Sequence, residues 1–218
     1  MIFDWGYAWE ILPQLAAALL VTLQATALGM AIALVLGLAL ALARRSPRRL
    51  LSWPVGALIE FVRSTPLLVQ MFFLFYVLPE AGVRLSPLSA GVAALGVHYA
   101  AYCSEVYRAG LDSVPRGQWE AARALNLGRW RTLRAIIVPQ ALAAVLPALG
   151  NYLVAMFKDT PLLSAITVVE LLQTAKLIGA QSFRYVEPIT LVGLLFLVLS
   201  LASAAALRLL EKRLPVAA

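Results

Sequence analysis

The feature that constrains this chain most is an uncharged apolar run of 29 residues, from Leu15 to Ala43. A helix needs about 20 such residues to cross the hydrocarbon core of a bilayer, so this run spans it with room to tilt. The run is too long for the core of a signal peptide, and Asp4 and Glu10 precede it where a signal peptide carries basic residues. We therefore expect it to be a helix of the mature protein.

The composition excludes a water-soluble globular domain. Apolar residues make up 62% of the 218 residues and charged residues only 13%, whereas soluble domains average about 45–50% and about 25%. The sequence predicts an all-α integral membrane protein with five transmembrane helices. The predicted spans are residues 15–43, 57–78, 87–107, 136–157 and 188–207.

One further apolar segment, residues 161–178, precedes the last span. It carries Glu170, Gln173 and Lys176 within seven residues, and each charge at mid-membrane costs roughly 2.5–3.5 kcal/mol on insertion scales. We therefore interpret it as a re-entrant or interfacial helix, although a sixth span is the alternative.

The distribution of basic residues predicts the orientation. With five spans and the N-terminus outside, 14 of the 18 Lys and Arg residues fall on the cytoplasmic side and 4 outside, as the positive-inside rule requires. The C-terminus is then cytoplasmic. Residues 1–14 are predicted to form an extracytoplasmic interfacial segment and residues 211–218 a cytoplasmic tail. The net charge of +7 is accordingly a topology signal and gives no support to nucleic-acid binding.

The loop between the third and fourth predicted spans contains a short helix, predicted over about residues 118–126. Its residues favour a helix, Ala121 and Ala122 leave its backbone approachable, and Asn126 suits a left-handed cap. On composition alone it is either an amphipathic surface helix or a docking element. The candidate docking residues are Gln118, Glu120, Ala121, Ala122, Arg123, Leu125, Asn126 and Gly128.

The order of residues in this loop resembles the signature of binding-protein-dependent ABC importer permeases. That signature reads E-A-A, three residues, a glycine, nine residues, and then I-x-L-P. Here Glu120-Ala121-Ala122 is followed by Asn126 at the glycine position and by Ile136-Ile137-Val138-Pro139. The two departures, Asn for Gly and Val for Leu, are physically mild.

Other segments resemble the polar amino-acid branch of that family, which includes histidine, glutamine, arginine and ectoine-type permeases. The resemblance covers about residues 19–208. The segments that carry it are Arg63-Ser64-Thr65-Pro66-Leu67-Leu68-Val69-Gln70, Tyr102 with Glu105 and Arg108-Ala109-Gly110, Pro115-Arg116-Gly117-Gln118, and Lys158-Asp159-Thr160.

The resemblance implies a type I ABC importer transmembrane domain over residues 15–210, in a bacterial cytoplasmic membrane. The short loop helix would be the coupling helix, which docks on a dimer of cytoplasmic ATPase subunits. ATP and magnesium would bind those subunits, since this chain has no G-x-x-x-x-G-K-[ST] phosphate loop and binds no cofactor of its own. A second permease subunit, an extracytoplasmic solute-binding protein and membrane lipid would be the other partners. The substrate would be a polar amino acid or an amino-acid-like solute, with ectoine-type compatible solutes included.

Polar residues inside the spans are candidates for the substrate pathway. His98, Tyr102 and Glu105 follow i, i+4, i+7 spacing and share one helix face. Each candidate also has a structural interpretation, such as a Glu105–Arg108 pair or a bond between helices. A small-residue ridge of Gly29, Ala33, Gly37 and Ala41 permits close helix packing, with a partner permease as one candidate neighbour. The pathway candidates are Gln70, His98, Tyr102, Glu105 and Asn151.

Two other classes remain open on the residues alone. A self-contained channel or secondary transporter would suit the apolar spans, but an inverted repeat is not visible in five spans. A membrane enzyme is the third class. A single His98, a single Cys103 and the lack of H-E-x-x-H argue against familiar metalloprotease chemistry.

Overall fold

The computed structural model describes residues 3–211. Within that range the chain forms nine α-helices, some of which continue into π or 3₁₀ turns. The helices are α1 Trp5–Arg44, α2 Arg49–Ser64, α3 Leu67–Phe72, α4 Pro87–Ser113, α5 Arg116–Ala124, α6 Arg129–Thr132, α7 Val138–Asp159, α8 Leu171–Ser182 and α9 Val186–Glu211. The predicted tail over residues 211–218 lies, beyond its first residue, outside the described residues.

Helix α1 is longer than its predicted span. It begins at Trp5, because the Asp4 carboxylate accepts hydrogen bonds from the amides of Gly6 and Tyr7 at 2.9 and 3.2 Å and so caps the first turn. Its 40 residues extend for about 60 Å. Residues 5–14 therefore belong to the same helix as the predicted first span and do not form a separate element.

Helix α4 lies at the centre of the bundle, with α1 packed along it. The ridge of small residues on α1 forms this contact: Gly37 meets Ala100 and Cys103, and Gly29 meets Leu95. Helix α7 packs on another side of α4 through Val145, Leu149 and Met156. The ridge therefore packs against another helix of the same chain, because its small side chains let the two backbones approach closely.

The predicted second span, residues 57–78, is wrong as a continuous helix. Helices α2 and α3 are separated at Thr65 and Pro66, and the direction of the chain changes by 105° there. Proline has no amide hydrogen and pushes the preceding residue out of the helical region, and Thr65 is extended at φ −109° and ψ 138°. Beyond the break, α3 continues through a π turn, Phe73–Val77, and a 3₁₀ turn, Leu78–Ala81.

Segment 161–178 is broken as well. A 3₁₀ turn over Thr160–Ile166 ends at Thr167, which is left-handed with φ 67°, and α8 begins four residues later. Glu170 is fully buried, and its carboxylate caps α8 by accepting hydrogen bonds from the amides of Leu172 and Gln173 at 2.8 and 2.7 Å. At 12 residues, or about 18 Å, α8 is too short to cross a bilayer.

The helices differ in their suitability as spans. Among the described residues, the stretches Trp5–Arg44, Arg129–Ile166 and Val186–Leu209 are long and apolar enough to cross a membrane, and the bent pair α2–α3 makes a fourth if it is one span. Helix α4 has 27 residues but is less apolar. Its polar side chains contact other helices of the bundle, and a helix surrounded by protein needs less apolar surface than one facing lipid.

An ionic cluster closes one end of the bundle. Arg184 donates hydrogen bonds to Asp4 at 3.2 Å and to Glu187 at 2.6 Å, and its guanidinium lies 4.3 Å from the centre of the Tyr7 ring. The amide of Tyr7 and then the Arg184 side chain hold the pKa of Asp4 below its ordinary value. The start of α1 is thereby joined to the start of α9.

Candidate functional site

The short loop helix is present as α5. It spans Arg116–Ala124, so it begins and ends two residues earlier than predicted. Asn126 is left-handed at φ 53°, and the amide of Leu127 donates to the carbonyl of Ala122 at 3.0 Å. This C-terminal geometry usually favours glycine, and asparagine is the next most common choice. Asn126 therefore takes the backbone conformation that its position predicts.

Helix α5 presents one face outward and buries the other. Ala122 is buried, and Trp119 packs on a small cluster formed by Val114, Ile137 and Ala141. Leu125, although apolar, is 70% exposed. The remaining candidate docking residues are also exposed, namely Gln118, Glu120, Ala121, Arg123, Asn126 and Gly128. One face of α5 is therefore packed against the rest of the chain, and the opposite face is exposed, as a docking helix requires.

Gln70 and His98 form a polar contact between α3 and α4. The Nδ1 atom of His98 lies 3.2 Å from the Oε1 atom of Gln70. The Nε2 group of Gln70 donates to the carbonyl of Val62 at 2.8 Å and to the Thr65 hydroxyl at 2.7 Å. Gln70 thus satisfies backbone and side-chain acceptors that the break between α2 and α3 leaves free.

Aromatic rings extend this contact toward α7. The centre of the His98 ring lies 5.2 Å from that of Tyr102, and Tyr102 lies 5.7 Å from Tyr152. Tyr99 donates its hydroxyl to a carboxylate oxygen of Asp159 at 2.7 Å. We call the group Gln70, His98, Tyr99, Tyr102, Tyr152 and Asp159 the polar cluster.

The structure brings three of the five pathway candidates together and separates two. Asn151 is exposed on α7, and its neighbour Tyr152 joins the cluster instead. Glu105 pairs with Arg108 at 2.6 Å, which is the structural interpretation of that residue. Sequence reasoning missed Tyr99, Tyr152 and Asp159. Asp159 lies in the Lys158-Asp159-Thr160 segment that carries the family resemblance, which was an available signal.

A second polar region lies toward the loop side of the polar cluster. A cavity of about 540 Å³ there is lined by side chains from α1, α2 and α4, including Arg44, Glu60, Arg63 and Glu105. Arg108 bridges Glu105 and Asp112, and Asp112 also pairs with Arg45. This network joins the ends of α1 and α4 and leaves a charged cavity beside α2.

The chain is similar over nearly its whole length to known proteins. The chain is 48% identical over 210 residues to a probable amino-acid ABC transporter permease protein, y4tG, of Sinorhizobium fredii, covering 96% of this chain and 91% of that one. It is 36% identical over 218 residues to the glutamine transport system permease protein GlnP of Escherichia coli, covering 99% and 100%. A crystal structure of an amino acid ABC transporter with histidines superposes with a TM-score of 0.92 at 34% identity, covering 98% and 100%.

The helical bundle has the fold of a type I ABC importer permease. The profile of the family described as binding-protein-dependent transport system inner membrane component matches residues 29–216, and the chain belongs to that family. It is therefore an integral protein of the inner membrane.

Proposed function

We propose that this chain is the permease subunit of an ATP-driven importer that moves a polar amino acid, or an amino-acid-like solute, into the cytoplasm by alternating access. The exposed E-A-A helix α5 carries the proposal. An ATP-driven importer subunit that has no phosphate loop of its own needs a surface that binds a separate ATPase, and α5 offers one. The y4tG and GlnP names support an amino acid as substrate. Ectoine-type solutes share the zwitterionic character of amino acids and fall within the proposed class.

The proposed topology has five spans, with the N-terminus outside and the C-terminus cytoplasmic. Under it, α4 is the third span and α8 is a short helix near the outer face. The 14-to-4 distribution of basic residues supports this orientation. Helix α5 then faces the cytoplasm, where a dimer of ATPase subunits would bind it and supply ATP and magnesium. A solute-binding protein would deliver substrate from outside, and a second permease subunit would complete the pathway.

The exposed face of α5 suits a rigid docking contact. Ala121 offers little side chain, so a partner surface can approach the backbone closely. Glu120 and Arg123 supply charges of opposite sign on either side of it. The buried Ala122 and the partly buried Trp119 fix the helix to the start of the helical stretch that leads into α7. A push on α5 would therefore pass directly into that stretch.

We assign the substrate pathway to the polar cluster and its surroundings. His98 and Gln70 place hydrogen-bonding groups inside an apolar bundle, and Tyr102 covers them from one side. The charged cavity at Glu105 would form the cytoplasmic part of the pathway. Asn151, exposed beside Tyr152, would contribute from α7.

Replacement of Ala121 by Trp tests the coupling assignment. The indole would hold the docking surface away from α5, so transport should fall at least tenfold while ATP hydrolysis no longer responds to the loaded binding protein. Ala121→Ser is the matched control, since it keeps a small side chain and should retain normal transport. Both variants should reach the membrane in equal amounts. Normal transport and normal stimulated hydrolysis in Ala121→Trp would exclude α5 as the coupling helix.

A further inference from the structure

A groove with two arginines and a tryptophan lies where α2 leaves the end of α1. It has a volume of about 530 Å³. Leu50 and Trp53 at its edge are 95% and 75% exposed. The lining residues are Arg44, Arg49, Leu50, Ser52, Trp53 and Pro54. The groove therefore combines two positive charges with apolar side chains that are exposed. Exposed apolar surface of this kind is unfavourable in water.

The acidic residues near this groove are engaged with other arginines. Glu60 lies 3.7 Å from Arg63, and Asp112 pairs with Arg45 and Arg108. Arg44 donates to the carbonyl of Ser52 at 2.9 Å, and its other guanidinium nitrogens stay available for an anion. Among the side chains of residues 3–209, Arg49 forms no ion pair. The groove therefore keeps a net positive charge.

The exposed side of α2 continues the apolar surface of the groove. Leu50, Trp53, Ala57 and Phe61 recur at three- and four-residue intervals, so they share one face of the helix. The three large side chains are all more than half exposed, and Phe61 is 65% exposed. An exposed apolar face beside basic residues, here at the start of α2, is typical of a segment that contacts the membrane interface.

We propose that this groove binds the headgroup of an anionic phospholipid. Arg44 and Arg49 would hold the phosphate, since guanidinium groups form paired hydrogen bonds with phosphate oxygens. Trp53 and Leu50 would contact the glycerol and the upper acyl chains, where tryptophan is favoured. Under the proposed topology the groove lies on the cytoplasmic side, so the lipid would come from the inner leaflet. This choice of leaflet rests on the proposed topology.

The opposite end of α2 connects the lipid site to the polar cluster. The carbonyl of Val62 accepts a hydrogen bond from Gln70, and the Arg63 guanidinium lies 5.4 Å from the centre of the Tyr102 ring. Lipid bound at the start of α2 would therefore fix the helix whose end contacts Gln70 and Tyr102. Transport is expected to depend on the anionic lipid content of the membrane.

The test counts phospholipids retained by the purified transporter complex, using native mass spectrometry at a fixed ratio of dioleoylphosphatidylglycerol to dioleoylphosphatidylcholine. Arg49→Gln should lower phosphatidylglycerol retention about fivefold, which is the usual effect of one basic residue near an anionic surface. Arg48→Gln is the matched control: it removes the same charge one residue away, and Arg48 does not line the groove. It should change retention less than twofold.

Three results would overturn the proposal. Equal losses in the two variants would mean that general surface charge attracts the lipid. Equal retention of phosphatidylglycerol and phosphatidylcholine by the parent complex would exclude recognition of an anion. Displacement of phosphatidylglycerol by millimolar inorganic phosphate would identify free phosphate as the ligand. Because lipid retention needs no transport, a failure here is distinguishable from a failure of the importer assignment.

Discussion

His98 and Gln70 join two helices through one side-chain contact in the middle of an apolar bundle. A fully buried polar group without a partner costs about 1–3 kcal/mol. His98 and Gln70 are half-buried, so their contact replaces water that each side chain has partly lost. The contact at 3.2 Å also leaves one ring nitrogen of His98 free for a further partner. A substrate in the pathway would find that nitrogen beside the Tyr102 ring.

We predict that His98→Leu raises the KM for transport about tenfold, since the loss of one hydrogen bond worth about 1.4 kcal/mol weakens binding by that factor. The amount of assembled transporter should change little. Val97→Leu is the control: it also places a leucine on α4, at an exposed neighbouring position outside the polar cluster. Uptake of labelled amino acid into proteoliposomes measures the effect. An unchanged KM in His98→Leu would assign the residue to helix packing alone.

Among the helices, α1 and α4 approach each other closely at Gly37, where the neighbouring atoms cannot move aside. A Cβ atom added at Gly37 would lie 2.8 Å from the Cβ of Cys103 and 2.9 Å from the carbonyl oxygen of Ala100. Neither neighbour is the end of a flexible side chain, so the two helices would have to separate. Small residues at four-residue spacing on α1 thus set the distance between the helices.

Gly37→Ala is therefore expected to lower the free energy of unfolding by about 1–3 kcal/mol, the usual cost of overpacking. Gly193→Ala is the matched control in α9, where an added Cβ meets nothing within 4 Å among the described residues. That change should stabilise the helix by up to about 1 kcal/mol. Titration of the purified chain in detergent micelles with dodecyl sulfate measures both. Equal and small effects would show that α1 and α4 adjust freely.

Local rules predicted some elements and failed at others for identifiable reasons. The left-handed Asn126 and the short helix before it follow from nearby residues, so the sequence sufficed. The break at Pro66 was also local, but an apolar count over residues 57–78 concealed it. The Tyr99–Asp159 bond joins residues 60 apart in the chain, through the packing of α4 against α7. No periodicity in either helix specifies that pairing.

For the molecule as a whole, the side of the membrane on which α8 lies distinguishes the possible topologies. Lys176 is exposed on α8. With five spans it lies outside, whereas a sixth span over residues 161–178 would bring it to the cytoplasm. Arg123, exposed on α5, would lie in the cytoplasm under both topologies if the N-terminus is outside.

We predict that Lys176→Cys, in a Cys103→Ala background, reacts with a membrane-impermeant maleimide added to intact spheroplasts. Arg123→Cys in the same background is the control and should react only in inverted vesicles. Labelling of position 176 only from the cytoplasmic side would overturn the five-span topology. Labelling of position 123 from outside would show that the orientation is opposite to the proposed one.

The ionic cluster of Asp4, Arg184 and Glu187 also has a consequence for how the chain is made. Asp4 and Arg184 are 180 residues apart, so at roughly 5–20 residues per second the ribosome needs on the order of 10–40 s to supply the second after the first. Throughout that interval Asp4, at the start of α1, has no Arg184 with which to pair. Completion of this end of the bundle is therefore a late step of biogenesis, because it requires Arg184 and Glu187 to have been synthesised.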